Sequence, residues 1–371
     1  MRPVRHPHYS FRSLISLALP LVLILLVLSS CVRKEDGMDL GKMMRPASRS
    51  SVLRQEGYFV WCSTMTRDDD GLYHVYYSRW RKDLGFNAWV THSEIAHATA
   101  PSPFGPYTFS DVALGARGKE YWDGLCTHNP TIHRFGDKYY LYYMGNTGDG
   151  VAMGEELNFS HRNAQRIGVA VSSSPYGPWT RSDAPLVDVS SDENAADALM
   201  VSNPSVVQRP QGGYLMVYKA VGKLRPLPFG GPVVHLTAVS DSPDGPFKKN
   251  PDPVFTYPGE DFAAEDPFVW TQDDAYWAIV KDFKGHFTGL GTTSLALMTS
   301  RDGFSWQTAR HPLVSDLTLR YDDGTVDRVE RLERPQMFLE DGRPVALQLA
   351  VGLADGDGGI RSSFNITVPL K

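Results

Sequence analysis

Cysteine is scarce: the 371 residues hold three, at positions 31, 62 and 126, and no Cys-x-x-Cys pair occurs. The 11 histidines are scattered without ligand spacing, and no His-Glu-x-x-His is present, so the sequence predicts no metal site. A glycine-rich phosphate loop and a Gly-x-Ser-x-Gly turn are also missing, which leaves nucleotide binding and α/β-hydrolase chemistry without support. Positive charge is in deficit, with 37 Lys and Arg against 42 Asp and Glu. Residues 1–30 carry Arg2, Arg5 and Arg12 and no acid; without them the balance is 34 to 42, a formal −8. No basic footprint for nucleic acid remains. What is abundant is apolar and turn-forming: 42% hydrophobic residues, 11% aromatic, 33 Gly and 26 Pro. That mixture argues against disorder and against a coiled coil.

Only one long apolar run exists, residues 14–28, and it falls short of the ~20 residues a spanning helix needs. Lying behind three arginines, it reads as an export signal. It ends at Leu28-Ser-Ser-Cys31, which resembles the lipobox of bacterial lipoproteins. The resemblance implies a signal peptide over 1–30, a diacylated Cys31 as first mature residue, and a periplasmic, outer-membrane or cell-surface location. Membrane contact then runs through the lipid. An ordinary signal peptide with a chance cysteine is the alternative. Residues 31–50 are polar and aperiodic, as expected of a tether. Cys62 and Cys126 either form a disulfide or pack as two buried thiols.

Two phrases alternate through residues 51–371. The first is Ser102-Pro-Phe-Gly-Pro-Tyr107, Ser174-Pro-Tyr-Gly-Pro-Trp179, Ser242-Pro-Asp-Gly-Pro-Phe247 and the looser Ser300-Arg-Asp-Gly-Phe-Ser-Trp306. The second is Asn129-Pro, Asn203-Pro, Asp266-Pro and Arg334-Pro, each expected to open a β run because proline suits the first residue of a strand. A hairpin, a third strand and a short fourth follow each proline, and residues 58–77 repeat the hairpin without it. Five units of four antiparallel strands predict an all-β fold, a five-bladed β-propeller, closed by a strand from about residues 50–57. Inner strands are expected near residues 60, 130, 204, 267 and 335. Connections on one face are short; those on the other, including 81–93 and 145–166, are long enough to wall an axial pocket.

These turns and proline-marked strands resemble the five-bladed glycoside hydrolases, the superfamily of family 43 arabinanases and xylosidases with levansucrases and invertases as cousins. The resemblance implies a catalytic base, a second Asp that tunes a pKa, and an acidic Glu at the starts of inner strands on successive blades. Leu332-Glu333-Arg334-Pro335 is similar to the phrase of the acid, with Arg for Gly, and Glu265-Asp266-Pro267 to that of the second Asp. Where the base belongs, the sequence reads Ser202-Asn203-Pro204, and an Asn takes no proton from water.

Glu333 is therefore the candidate acid. Strand alternation allows only one of Glu265 and Asp266 to face the axis, and the place before proline favours Asp266. Asp123, Asp197 or His128 is expected to supply the base. Each of these side chains has a structural alternative, as an ion pair, a loop cap or a core hydrogen bond. Asn129, Asn203 and Arg334 join the candidate substrate-binding residues through their phrases. Lys219, Lys281 and Asp282 join them from strand ends, as donors or partners for sugar hydroxyls, a carboxylate or a sulfate. Trp61 is either a sugar-stacking platform or a buried plug. An axial Ca²⁺ is implied by the resemblance alone, and no other cofactor is expected. The sequence thus predicts a membrane-anchored glycosidase acting on a carbohydrate, exo and inverting. A catalytically silent glycan-binding propeller and a glycoside phosphorylase are the competing readings.

Overall fold

The computed structural model describes residues 37–354 and 359–371, together with Met1, Pro3 and Val4. The export signal and Cys31 lie outside the described residues. Asp39–Lys371 forms one compact unit.

Five four-stranded antiparallel sheets make the blades of a propeller. Blade one holds β2 (Tyr58–Arg67), β3 (Tyr73–Arg81), β4 (Glu94–Ala100) and β5 (Thr108–Leu114). Blade two holds β6 (Cys126–Phe135), β7 (Lys138–Asn146), β8 (Arg166–Ser172) and β9 (Thr180–Arg181). Blade three holds β10 (Met200–Gln208), β11 (Tyr214–Val221), β12 (Val233–Ser240) and β13 (Lys248–Val254). Blade four holds β14 (Ala264–Gln272), β15 (Ala275–Asp282), β16 (Ser294–Ser300) and β17 (Gln307–Ser315), followed by a small hairpin, β18 (Thr318–Arg320) and β19 (Val326–Arg328). Blade five takes β20 (Arg331–Glu340), β21 (Arg343–Ala354) and β22 (Ile360–Pro369) from the end of the chain, and β1 (Val52–Leu53) from its beginning.

The expected ring closure is present. β1 pairs with β22 through Val52↔Ile366 and Leu53↔Asn365, covering the edge of the last sheet. Leu53 is buried against blade one as well as blade five. Leu53→Ala should therefore cost about 2–5 kcal/mol, read as a fall in the denaturant midpoint at unchanged slope; a loss below about 0.5 kcal/mol would show that closure does not depend on this contact.

Two sequence expectations need correcting. The polar stretch expected to act as a tether up to residue 50 is docked well before it, because the compact unit begins at Asp39. Leu40 and Ala47 are buried, and backbone bonds run from Arg45 N to Pro369 O and from Ala47 N to Arg320 O. Two apolar residues in a polar stretch suffice to dock it. Second, the prolines do not open the inner strands, which begin earlier, at residues 58, 126, 200, 264 and 331. Each proline sits inside a bulge where the ladder skips, for example Pro130 between His128 and Thr131 and Pro267 between Glu265 and Phe268. A bulge frees one N–H from pairing, so the missing donor of proline costs nothing there.

The Gly-Pro turns have a steric reason. Gly105, Gly177, Gly245 and Gly303 have φ of 76°, 85°, 86° and 82°, left-handed values that favour glycine. Both cysteines are free and buried, with no disulfide between them. Cys62 Sγ donates to Asn129 Oδ1 at 2.8 Å and Cys126 Sγ to the Trp89 carbonyl at 3.3 Å, and burial pushes the Cys126 thiol up to about 12.

Candidate active site

One residue at each bulge of the five inner strands adopts a left-handed backbone: Cys62, Asn129, Asn203, Asp266 and Arg334, with φ between 52° and 55°. Their side chains join in sequence across the blades. Cys62 donates to Asn129; Asn129 Nδ2 donates to Asn203 Oδ1 at 2.5 Å; Asn203 Nδ2 donates to Asp266 Oδ1 at 2.8 Å. Arg334 completes the series, its backbone N–H donating to Asp266 Oδ2 at 3.2 Å and its Nη1 to Oδ1 at 3.4 Å. All five are buried. Non-glycine residues seldom take this conformation, so its repetition marks a backbone that the surrounding strands enforce.

The bulge also breaks strand alternation. On three blades the residue before the left-handed position, His128, Glu265 or Glu333, lines the same axial cavity as its neighbour, a space of about 410 Å³; Trp61 lines it without Cys62, and Asn203 without Ser202. Glu265 and Asp266 therefore both face the pocket, contrary to the alternation argument. Three carboxylates, Glu265, Asp266 and Glu333, line this one cavity.

A rule of offset places their partners. The inner-strand residue pairs across its own blade with a residue of the second strand, whose side chain reaches the next blade. Ser78 pairs with Trp61, and its hydroxyl accepts from Asn129 N at 3.0 Å. Lys219 pairs with Ser202 and donates to Glu265 Oε1 at 2.5 Å. Lys281 pairs with Glu265 and donates to Glu333 Oε1. The lysines expected to grip the substrate thus line the cavity while holding the two glutamates.

Much of the cavity lining is aromatic. Trp61, Trp80, Phe86 and Trp89 line it with His128. Trp61 and Phe86 meet edge to face at 5.5 Å, and Trp89 lies 5.0 Å from the His128 ring. His128 Nδ1 bonds Ser93 Oγ at 2.7 Å, and burial, helped by Arg334, pushes its pKa well down, so the ring is neutral. Sequence reasoning missed Trp80, Phe86, Trp89 and Gln165 of the lining, which sit beyond the repeated phrases.

Three candidates do not reach the cavity. Asp123 accepts from Arg117 Nε at 2.7 Å, Tyr143 Oη at 2.7 Å and Arg181 Nη1 at 3.3 Å, a buried structural ion pair. Asp197 is held by Lys249 at 2.6 Å. Asp282, at the end of β15, accepts from the backbone N–H groups of His286, Phe287 and Thr288 and caps the loop that follows. The axial Ca²⁺ does not suit these residues. The ring offers one carboxylate, both of whose oxygens already accept hydrogen bonds, and it sets a guanidinium beside it. Among the described residues no group of three or more His, Cys, Asp and Glu can hold a metal.

The two adjacent acids are driven apart in pKa. Burial pushes the Glu265 carboxyl up, but Lys219 and Lys281 outweigh it and hold the value at about 2. Asp266 goes the other way: burial and the charge of Glu265 raise it to about 6, against the pull of Arg334. A folded value above the unfolded ~3.9 means the folded chain binds this proton more tightly. Its stabilising contribution is complete below about pH 4 and is lost as pH rises through 6. Between pH 4 and 6, wild-type stability should fall relative to Asp266→Asn by about 2–3 kcal/mol, measured by urea unfolding at each pH. Parallel profiles for the two proteins would contradict the raised pKa.

No family model matches the chain, and no curated protein matches it. Solved structures do. The chain is similar to BT0996 in an RGII complex at TM-score 0.64 and 14% identity, covering 88% of this chain and 92% of that one. It is similar to Zg3597, a family 117 glycoside hydrolase of the marine bacterium Zobellia galactanivorans, at 0.57 and 16%, covering 88% of each. A third is the arabinanase Arb43A of Bacillus subtilis, at 0.55 and 15%, covering 86% and 96%. At such identities the likeness establishes the fold, the five-bladed β-propeller that these proteins share with this chain.

Proposed function

We propose that the chain is a glycoside hydrolase whose acid and base are Glu333 and Glu265. The observation that carries this is the convergence of Glu265, Asp266 and Glu333 in one axial cavity rich in aromatic lining residues. Glycosidic cleavage needs two carboxyl groups in opposite protonation roles, and a sugar ring stacks on indole. Two lysines keep Glu265 ionised, which suits it to activate water. Glu333 protonates the leaving oxygen through the oxygen that Lys281 does not occupy. Asp266 holds Arg334 at the floor. Similar folds carry such chemistry, including a β-xylosidase/α-arabinofuranosidase in complex with xylotriose.

The resemblance to the propeller glycosidases carries the finer reading that the action is exo and inverting. The test is a screen of glycans with wild type and Glu333→Gln, reading reducing ends and the anomer first released by NMR. Loss of hydrolysis in the variant and inverted product support the reading. Cleavage that requires inorganic phosphate makes the protein a phosphorylase. Glycan binding without cleavage by wild type makes it a silent propeller, the reading that Asn203 in place of a base favours.

We further propose anchoring through a lipidated Cys31. Cys31→Ser should move the protein from the membrane fraction to the soluble fraction and block processing; unchanged fractionation and mass would remove the lipobox reading.

A further inference from the structure

The loop that Asp282 caps runs from β15 to β16 over residues 283–293, on the same face as the axial cavity, and it borders a second, open space of about 730 Å³. Phe283 and Thr293, the two ends of the loop, line both spaces. A ligand too long for the axial cavity therefore has the second space beside it.

This loop is held in shape by its own bonds. Besides the three N–H groups on Asp282, Thr293 Oγ1 donates to the Phe283 carbonyl at 2.9 Å, and Glu260 Oε1 lies 2.9 Å from Lys284 Nζ and 3.1 Å from His286 Nε2. The Glu260 N–H donates to the Tyr257 carbonyl at 3.1 Å, which ties the preceding segment to the same staple. A fixed aromatic pair results: the Tyr257 and His286 rings stack at 4.0 Å with their planes 4° apart. His286 covers one face of the tyrosine, yet 39% of Tyr257 is exposed. Nearby, Gly289 and Gly291 present bare backbone, with no atom within 4 Å of the place a Cβ would take.

The lining names the chemistry of the occupant. Its one lysine, Lys284, is paired with Glu260, so no spare charge asks for an ion. What remains is an exposed ring, threonine hydroxyls and open backbone, which suit the apolar face and the hydroxyls of a neutral sugar. Lys281 supplies the direction. Its Nζ donates to Glu333 and lies 4.3 Å from the centre of the Phe283 ring. The departing group is on the side of the acid, where Lys281 and Phe283 lead to the second space.

Resting on the reading that the axial cavity cleaves a glycan, we propose that the loop of blade four forms a second sugar subsite, in which the unit on the leaving-group side stacks on Tyr257. Tyr257 is then a binding residue that sets the chain length the protein prefers, while Glu265 and Glu333 perform the cleavage.

The test is calorimetric binding of xylo-, α-1,5-arabino- and β-1,4-galacto-oligosaccharides of one to three units to the Glu333→Gln variant, which leaves them intact. In at least one series the disaccharide should bind about tenfold or more tightly than the monosaccharide, and adding Tyr257→Ala should cut that gain to within about threefold. Tyr257→Phe keeps the ring and should keep the gain. Affinity that stays flat with chain length in all three series overturns the proposal with no change at Tyr257, so the matter is decided even should Tyr257→Ala fail to fold. A gain that survives Tyr257→Ala, or binding of none of these sugars, overturns it as well. The two readings fail separately: a Tyr257-dependent gain with no hydrolysis of any glycan by wild type removes the glycosidase and leaves the subsite, whereas hydrolysis whose KM ignores both chain length and Tyr257→Ala does the reverse.

Discussion

Glu333→Gln loses roughly 10²–10⁴-fold in kcat on glycosides with poor leaving groups, the contribution typical of a positioned acid. Binding stays close to wild type, because the amide keeps an oxygen for Lys281; the lost charge beside that buried lysine costs stability, so the variant is assayed well below its denaturant midpoint. Substrates with good leaving groups, such as nitrophenyl glycosides, lose far less, since their departure needs little protonation. A uniform loss across both classes would assign Glu333 another task, and a loss below about tenfold on a verified natural substrate would remove it from the chemistry altogether. In that case its bond to Lys281 is a structural ion pair.

Glu265→Gln shows the complementary pattern. Here the base is lost, so the rate falls by a similar 10²–10⁴-fold for good and poor leaving groups alike. The variant also strands Lys219 beside a neutral amide in a nearly dry site. Removing one partner of a buried pair costs about 3–5 kcal/mol in stability, which a denaturant midpoint resolves, so activity is compared well below that midpoint. Undiminished turnover by folded Glu265→Gln would move the base off this residue. Together the two variants separate acid from base without knowledge of the anomeric outcome.

The blades are legible because their signals are local and repeated. Glycines that need a left-handed turn and prolines that tolerate no ladder bond announce themselves in any sequence, and they locate all five units. Glu333, Asp266 and Arg334 are found by standing next to such prolines. Glu265 is demoted for a physical reason: strand alternation holds only on a regular strand, and the left-handed Asp266 breaks the rule at the one place where it is applied. Asp123, Asp197 and Asp282 are misplaced because an aspartate's role is set by its partners. Those partners, Arg181 for Asp123, Lys249 for Asp197 and a run of backbone N–H groups for Asp282, come from separate strands or from the shape of a loop. The two cations are remote in sequence, and the N–H groups that follow Asp282 converge on it only through the shape of the loop. The same applies to Lys219 and Lys281, whose targets lie on the following blade.

That offset of lysine from glutamate makes two of the joints between blades electrical components. Lys219 spans the joint between blades three and four, and Lys281 that between four and five. At an effective dielectric of about 20, widening such a contact from about 3 to about 5 Å weakens it by roughly 2 kcal/mol, which is more than one pKa unit. Mechanical slack in the ring is thereby converted into acidity at its centre. A destabilising change at either seam, far from any sugar, should be audible as a shifted pH optimum before it is visible as a lowered melting temperature.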